Sequence, residues 1–367
     1  MKAFARVVVA TAAAMLFAAA AHAADTVKVG ALYPLTGNSA PAGQAAKAAI
    51  ELAIDIVNNA HPELKGLPLA ETAGLPNLGD AKIELVHVDH QGDPSVGQQQ
   101  TLRLITQERV AALLGVYHSS VALTATAVAE RYGVPFVVGD SVAANITQRG
   151  FKWTFRVTPI ATDFAKAYSD FLSDMKKEGK KVESVAVLNE NTDYGTSVGN
   201  SIAEAMKAGG FKVQQVVYSA KSTDVSPQVL QLKEQKPDVA VFVGYTADEI
   251  LYMKTLKNLD FLPTMIIGDD AGFSDPSFLP AVGDIVQGTL NRAGSTEPEK
   301  IQQALQATDL KPAQLMMGYR GVKFDETGQN TLASTYLIQL QGKEYKSVWP
   351  EDRATAKLEW PMKGWKQ

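Results

Sequence analysis

The chain has 367 residues, no cysteine and a formal net charge of −4, with 46% hydrophobic and 8% aromatic residues. That balance belongs to a packed globular protein rather than a disordered one, and without a basic block it argues against nucleic acid or an anionic membrane as partner. With no cysteine, disulfides are excluded and a lipid-anchored cysteine is not expected.

The first residues read as a targeting segment. Lys2 and Arg6 are basic, Val7 to Ala20 is apolar, and Ala21-His22-Ala23 fits a small-x-small cleavage pattern. Residues 1–23 are therefore expected to be a signal peptide cleaved near Ala23, with the rest of the chain exported in soluble form. The apolar run is short for a membrane span. Cleavage would leave about 344 residues (367 minus 23), and loss of Lys2 and Arg6 would take the charge from −4 to −6. That length exceeds one ordinary core, so two domains are expected.

Val27 to Tyr33 alternates as a strand does, and Gln44 to Asn58 carries apolar residues at helical spacing. The unit repeats as strand Ile83 to Val88 with helix Ser95 to Gln107, then strand Val110 to Leu114 with helix Val121 to Arg131. A short strand, Val134 to Val138, follows. His61 to Asp80, rich in Pro, Gly and Leu, reads as a surface excursion. After Phe151 to Arg156 a second series begins: helix Asp163 to Lys177, strand Ser184 to Leu188 and helix Gly195 to Lys207. Strand Lys212 to Tyr218, helix Ser226 to Glu234, strand Asp238 to Val243, helix Ala247 to Leu256 and strand Thr264 to Ile267 complete it. Alternating short apolar strands and amphipathic helices predict α/β architecture, with two Rossmann-like lobes built on parallel sheets.

In such sheets ligands sit beyond the carboxyl ends of the strands, where helix N-termini offer free N–H groups. This selects Thr36 to Gly43, Asp89 to Asp93, Tyr117 to Ser120, Asp140-Ser141, Asn191 to Tyr194, Tyr245-Thr246 and Asp269-Asp270. Within Tyr117-His118-Ser119-Ser120, a histidine beside two serines suggests a nucleophile with its base, a metal site or a polar cup. Ser119 and Ser120 stand where a helix cap belongs, so capping combined with ligand contact is the expectation.

Gly195-Thr196-Ser197-Val198-Gly199 matches the G-x-S-x-G nucleophile elbow. All five histidines (His22, His61, His87, His90 and His118) precede Ser197, whereas the elbow needs one after it. The two glycines are instead expected to serve close helix packing, and no catalytic residue is assigned. His87 to Asp93 contains ligand-type residues without a helical histidine pair, and Asp89 and Asp93 are expected to bind loop amides or cap a helix, so no metal is assigned. No nucleotide-binding glycine motif occurs, and no cofactor is implied.

Several stretches together resemble one family. "VKVGALYPLTGNSAPAGQAAKAAIELAIDIVN", "GVYHSS", "GVPFVVGDSVAANITQRGFKWTFRVTP", "NENTDYGTS" and "DETGQNTLA" are similar to branched-chain amino-acid-type periplasmic solute-binding proteins of ABC importers. The resemblance implies the type I fold: two lobes joined by a three-crossing hinge, lobe one 25–157 plus 291–332 and lobe two 158–290 plus 333–367. It implies a monomer that captures an amino acid or related small carboxylate by hinge closure and delivers it to a membrane permease. A sensory ligand-binding role on the same fold, or binding of aromatic acids or amides, stands as the alternative, and an exported hydrolase as a remote one. By position, Ser119 would hold the ligand carboxylate, with Ser120, Asp140 and Ser141 in the adjoining first-lobe loops. Tyr194 and Tyr245 would wall the pocket from the second lobe, and Asp270 would pair with the ammonium. Tyr117 and His118 would stand at the pocket edge.

Three departures from the family pattern stand out. Val142 occupies a position where the family often has a hydroxyl, and Ala42 one where some relatives have an aromatic. "VQGTLNRAGSTEPEKIQQAL" joins the second crossing directly to a helix that the family separates by several dozen residues, so lobe one is expected to lack a segment near residues 288–291. If the missing helix uncovers roughly 500 Å² of apolar surface, the deficit is about 12 kcal/mol at 25 cal/mol per Å². A domain has only about 5–15 kcal/mol to lose. The exported chain is accordingly predicted to melt at low temperature or to bind a dye specific for loosely packed states. A cooperative, high melting transition would contradict this.

Overall fold

The structure, a computed structural model, describes residues 26–274, 305–307, 309–311, 320–341 and 344–361. Its first lobe carries a five-stranded parallel sheet in the order β2-β1-β3-β4-β5. The strands are β1 (Thr26–Tyr33), β2 (Lys82–Asp89), β3 (Ala112–Gly115), β4 (Phe136–Val138) and β5 (Thr154–Arg156). Helices α1 (Ala40–Asn58), α2 (Pro94–Arg103) and α3 (Ser119–Tyr132) connect the first four. The second lobe carries a four-stranded parallel sheet, β7-β6-β8-β9, built from β6 (Ser184–Glu190), β7 (Lys212–Tyr218), β8 (Val239–Val243) and β9 (Met265–Gly268). Its helices are α4 (Ala161–Lys177), α5 (Asp193–Ala208), α6 (Ser226–Gln235), α7 (Thr246–Asn258) and the single turn α8 (Asp270–Ser274).

The period of two explains why these short runs are apolar throughout. In β4, Phe136 and Val138 join Leu113 and Val121 in one core, while Val137 joins Phe155, Val322 and Phe324 in the core on the opposite face. In β8, Val239, Val241 and Val243 face α4 and α5, and Ala240 and Phe242 face α6 and α7. Both faces are covered, so neither strand shows polar alternation.

Element limits shift in places. Helix α1 begins at Ala40, ahead of the expected Gln44, because Pro41 suits a first-turn position where no N–H is needed. Helix α2 ends at Arg103 and passes into a π turn over Leu104–Glu108. Thr154–Arg156, read as a transition, is the fifth strand and pairs in parallel with β4. The excursion after α1 contains one 3-10 turn, Pro76–Leu78.

The chain leaves the first sheet after Arg156 and enters α4, where the Ala161 N–H donates to the Val142 carbonyl at 2.9 Å. The expected second crossing and the shortened junction near 288–291 lie outside the described residues. Residues 322–330 sit against the first sheet, with a parallel bridge between Arg156 and Gln329. Beyond them the antiparallel hairpin of β10 (Leu337–Gln341) and β11 (Glu344–Trp349) places Leu337 and Val348 in the second-lobe core.

One side chain ties these parts together. Arg156 is fully buried. Its Nε donates to Gln329 Oε1 at 2.7 Å, and its Nη1 to the carbonyls of Ala143 at 2.7 Å and Ser141 at 3.2 Å. Its Nη2 donates to Thr147 Oγ1 at 2.8 Å. Burial lowers its pKa to about 9, which leaves it charged at neutral pH. Arg156→Met would strand these buried acceptors, and each unpaired buried group costs about 1–3 kcal/mol. The variant is predicted to lose about 3 kcal/mol or more in urea unfolding; a loss below about 1 kcal/mol would contradict this role.

Candidate functional site

The carboxyl ends of the two sheets face each other, and the loops selected from sequence meet there. Tyr245 projects from the end of β8 as the residue before α7. Its ring lies 4.7 Å from that of His118, 5.7 Å from Tyr117 and 5.0 Å from Tyr194, centroid to centroid. Two of these partners belong to lobe one and one to lobe two, so a single aromatic layer spans the interlobe cleft. The Tyr245 hydroxyl is raised in pKa, chiefly by burial and by Glu190, against opposing contributions from the Ser119 amide and the Thr192 hydroxyl.

On the first-lobe side, Ser119 is buried and its hydroxyl accepts from the Ala143 N–H at 3.3 Å. This corrects the expectation that Ser119 and Ser120 cap the helix. Helix α3 begins at Ser119, the cap position is His118, and no side chain caps it. Ser119 has instead turned to brace the next loop, while Ser120 is partly buried in the first helical turn. Ser141 is likewise committed: its hydroxyl donates to the Val116 carbonyl at 2.6 Å. Asp140 accepts a hydrogen bond from Tyr33 Oη at 2.7 Å, and burial pushes its carboxyl up to about 6.

On the second-lobe side, Asp269 is fully buried and takes one phenol on each oxygen, Tyr168 and Tyr194, both at 2.8 Å. Burial pushes it up to about 6 against those two bonds. Asp270 follows with φ of +32°, a backbone region that non-glycine residues rarely occupy and that clusters at functional sites. Burial first, then the negative charges of Asp269 and Asp140, hold its carboxyl well above the ordinary range. The influence of Asp140 is exerted from the opposite lobe. Asp248 caps α7 by accepting from the Tyr245 N–H at 3.1 Å and is pushed up to about 7, mainly by burial. Glu249 is fully buried, and neither carboxylate oxygen has a hydrogen-bond partner.

Tyr117, His118, Ser119, Tyr194 and Tyr245 thus lie together, with Asp140, Ser141 and Asp270 on the adjoining loops. Sequence reasoning missed Tyr33 and Tyr168, which sit in a strand and a helix where alternation and helical spacing read as plain core. It also treated Asp270 as a lone acid, whereas Asp269 shares its environment.

The other motifs are absorbed by the fold. Ser197 lies inside α5 and accepts from the Ala144 N–H at 3.1 Å. A Cβ at Gly195 would overlap the Glu190 carbonyl, and one at Gly199 the Asn189 side chain, so both glycines permit α5 to lie close on β6. Asp89 accepts from the Leu35 and Gln91 amides at 2.9 and 2.8 Å. Asp93 caps α2 through Ser95 N–H at 2.7 Å and Val96 N–H at 3.0 Å. Among the described residues, no group of three or more acidic, histidine or cysteine side chains is placed to hold a metal.

These pKa directions set a pH dependence. Buried carboxyls raised in the folded state keep protons that the unfolded chain releases above about 4, so they destabilise the fold as pH rises toward their folded values. His118 and His90, lowered to about 3 and about 4 mainly by burial, act oppositely: they lose stability as pH falls below about 6.5. The two effects oppose each other below about 6.5, and above it only the carboxyls remain. The melting temperature of the unliganded protein is predicted to fall between about pH 6.5 and pH 8, and Asp248→Asn with Glu249→Gln to flatten that fall. A flat or rising profile in the parent protein would contradict it.

Comparison with known proteins places this geometry in context. Residues 26–290 match the sequence profile of the family described as periplasmic binding protein. "Leu/Ile/Val-binding protein homolog 7" of Brucella suis is 27% identical over 413 aligned positions, covering 96% of this chain and 99% of that protein. Among solved structures, the leucine-binding protein LivK of Thermotoga maritima superposes with a TM-score of 0.73 at 20% identity, over 89% of this chain and 99% of that one. LivJ of Streptococcus pneumoniae, solved with isoleucine, gives 0.71 at 19% identity, over 89% of this chain and 100% of its own. The two structures share the fold, a pair of α/β lobes with parallel sheets. The profile match covers well over half of the sequence, and the chain belongs to the periplasmic binding protein family.

Proposed function

We propose that this protein is the periplasmic solute-binding component of an ABC importer, and that it captures an amino acid in the interlobe cleft without chemically altering it. One observation carries the amino-acid assignment: Asp270, in a strained backbone conformation on the second lobe, feels the charge of Asp140 on the first, and the residue before α3, His118, meets Tyr245 at the same interlobe cleft. A zwitterion matches both sides. Its carboxylate would take the N–H groups of Ser120 and Val121 in the first turn of α3, the Ser119 amide already meeting the Tyr245 hydroxyl, and its ammonium would lie against Asp270. A ligand touching both lobes favours the closed arrangement because it gains both sets of contacts only there.

Ser120, Asp140 and Ser141 would line the anion side, and Tyr117, His118, Tyr194 and Tyr245 the walls. With the Ser141 hydroxyl proton committed to the Val116 carbonyl, backbone amides and the Ser119 O–H, which accepts from the Ala143 N–H but keeps its own proton to donate, would carry the anion's hydrogen bonds. The names of the Brucella relative and of LivJ with its isoleucine support the amino-acid class. A membrane permease would be the partner, and lobe one would be residues 25–157 with 291–332. The alignment with the Brucella suis relative spans 413 positions against 367 residues here, so at least 46 positions (413 minus 367) lack a counterpart, which supports a shortened segment.

A thermal-shift panel of amino acids, amides and aromatic carboxylates tests the assignment, since a ligand of the native state raises its melting temperature. Amino acids are expected to stabilise the protein. Asp270→Asn should weaken them about ten- to a hundredfold, the equivalent of a lost charge-assisted hydrogen bond. Stabilisation only by anions lacking an ammonium, or full affinity in Asp270→Asn, would overturn it.

A further inference from the structure

The side-chain end of the cleft has a chemistry of its own. His118 sits directly before α3, with its ring between Tyr245 of the other lobe and His90, whose centroid lies 5.4 Å away at 87°. Its Nε2 is 3.2 Å from Ser39 Oγ, at the start of α1. Its Nδ1 is shielded from solvent and has no hydrogen-bond partner. His90, fully buried behind it, accepts from the Gly92 N–H through Nδ1 at 3.0 Å. That bond fixes the neutral tautomer with the proton on Nε2, and Nε2 also has no partner.

Buried polar atoms are nearly always paired, so an orphaned nitrogen on each of two neighbouring rings, one of them against the cleft residue Tyr245, calls for an explanation. The groups acting on the His118 ring are all neutral: Ser39, His90, Tyr117 and Tyr245. Among the described residues, no carboxylate is seen in contact with the ring to pair with a cationic side chain, and the acids of the cleft, Asp140, Asp269 and Asp270, which the ligand's ammonium would occupy, disfavour an anionic one. A branched aliphatic side chain would leave the imidazole nitrogens unpaired. An uncharged hydroxyl or carboxamide satisfies them, and the carboxamide, with both donor and acceptor, suits either tautomer of His118.

We infer that His118, backed by His90 and Ser39, is a specificity-determining residue that directs the cleft toward amino acids with a hydroxyl or carboxamide side chain and away from leucine, isoleucine and valine. This rests on the amino-acid function proposed above.

The test is titration calorimetry of the purified exported protein with glutamine, asparagine, threonine and serine against leucine, isoleucine and valine. At least one polar amino acid is expected to bind tenfold or more tightly than any of the aliphatic ones. His118→Phe keeps the ring and removes its nitrogens, and should shrink that ratio tenfold or more. His118→Gln, which restores a hydrogen-bonding end, should retain most of it. Aliphatic amino acids binding as tightly as the polar ones, or a ratio unmoved in His118→Phe, would overturn the specificity assignment while leaving the amino-acid function intact. Failure of every amino acid to bind would overturn the amino-acid function itself, so the two failures are distinguishable.

Discussion

The buried guanidinium of Arg156 is the constraint on which the cleft depends. It stands at the end of β5, where the chain is about to leave the first lobe, and its hydrogen bonds reach three separate parts of the fold. The Ser141 and Ala143 carbonyls belong to the loop that carries Asp140, Thr147 lies just beyond, and Gln329 belongs to the returning segment. Gln329 in turn donates to the Thr158 carbonyl at 2.9 Å, closing the network around the exit strand. A single cation therefore sets both the position of a ligand loop and the geometry of the connection on which the lobes would hinge. Burying it is acceptable only because each donor group is met.

The second organising feature is a group of buried carboxyls. Asp140 on one lobe and Asp269 on the other both raise the Asp270 carboxyl, Asp248 and Asp269 raise that of Glu249, and Asp248 accepts from the Tyr245 N–H. Tyrosine hydroxyls hold Asp140 and Asp269 in place, which fixes the field without neutralising it. Desolvation makes such a group resist ionisation until a positive charge arrives. On the function proposed above, a ligand's ammonium would be that charge. Closure and ligand charge are linked because Asp140 and Asp270 come from opposite lobes.

Much of this was legible in the sequence. The alternation of short apolar runs with amphipathic helices predicted two parallel sheets, and the rule that ligands collect at strand carboxyl ends selected Tyr117 to Ser120, Asp140-Ser141, Tyr245 and Asp269-Asp270 before any geometry was known. What the sequence hid were hydrogen bonds between residues far apart in the chain. Tyr33 and Tyr168 are hydrophobic by pattern, and only the fold brings their hydroxyls to Asp140 and Asp269. The serines of GVYHSS look like caps, yet Ser119 braces a loop 24 residues away. His118, unremarkable as a neighbour of serines, gains its significance from Tyr245, His90 and Ser39, which arrive from three other elements.

The most direct measurement is the number of protons exchanged when the protein binds its best amino-acid ligand, obtained by calorimetry at about pH 6.5 in buffers of differing ionisation enthalpy. If the ammonium neutralises a carboxyl that the empty cleft keeps protonated, binding releases protons, and affinity tightens as pH rises toward 8. Binding that exchanges no protons, or takes them up, would mean that the buried carboxylates of the cleft do not receive the ligand's charge.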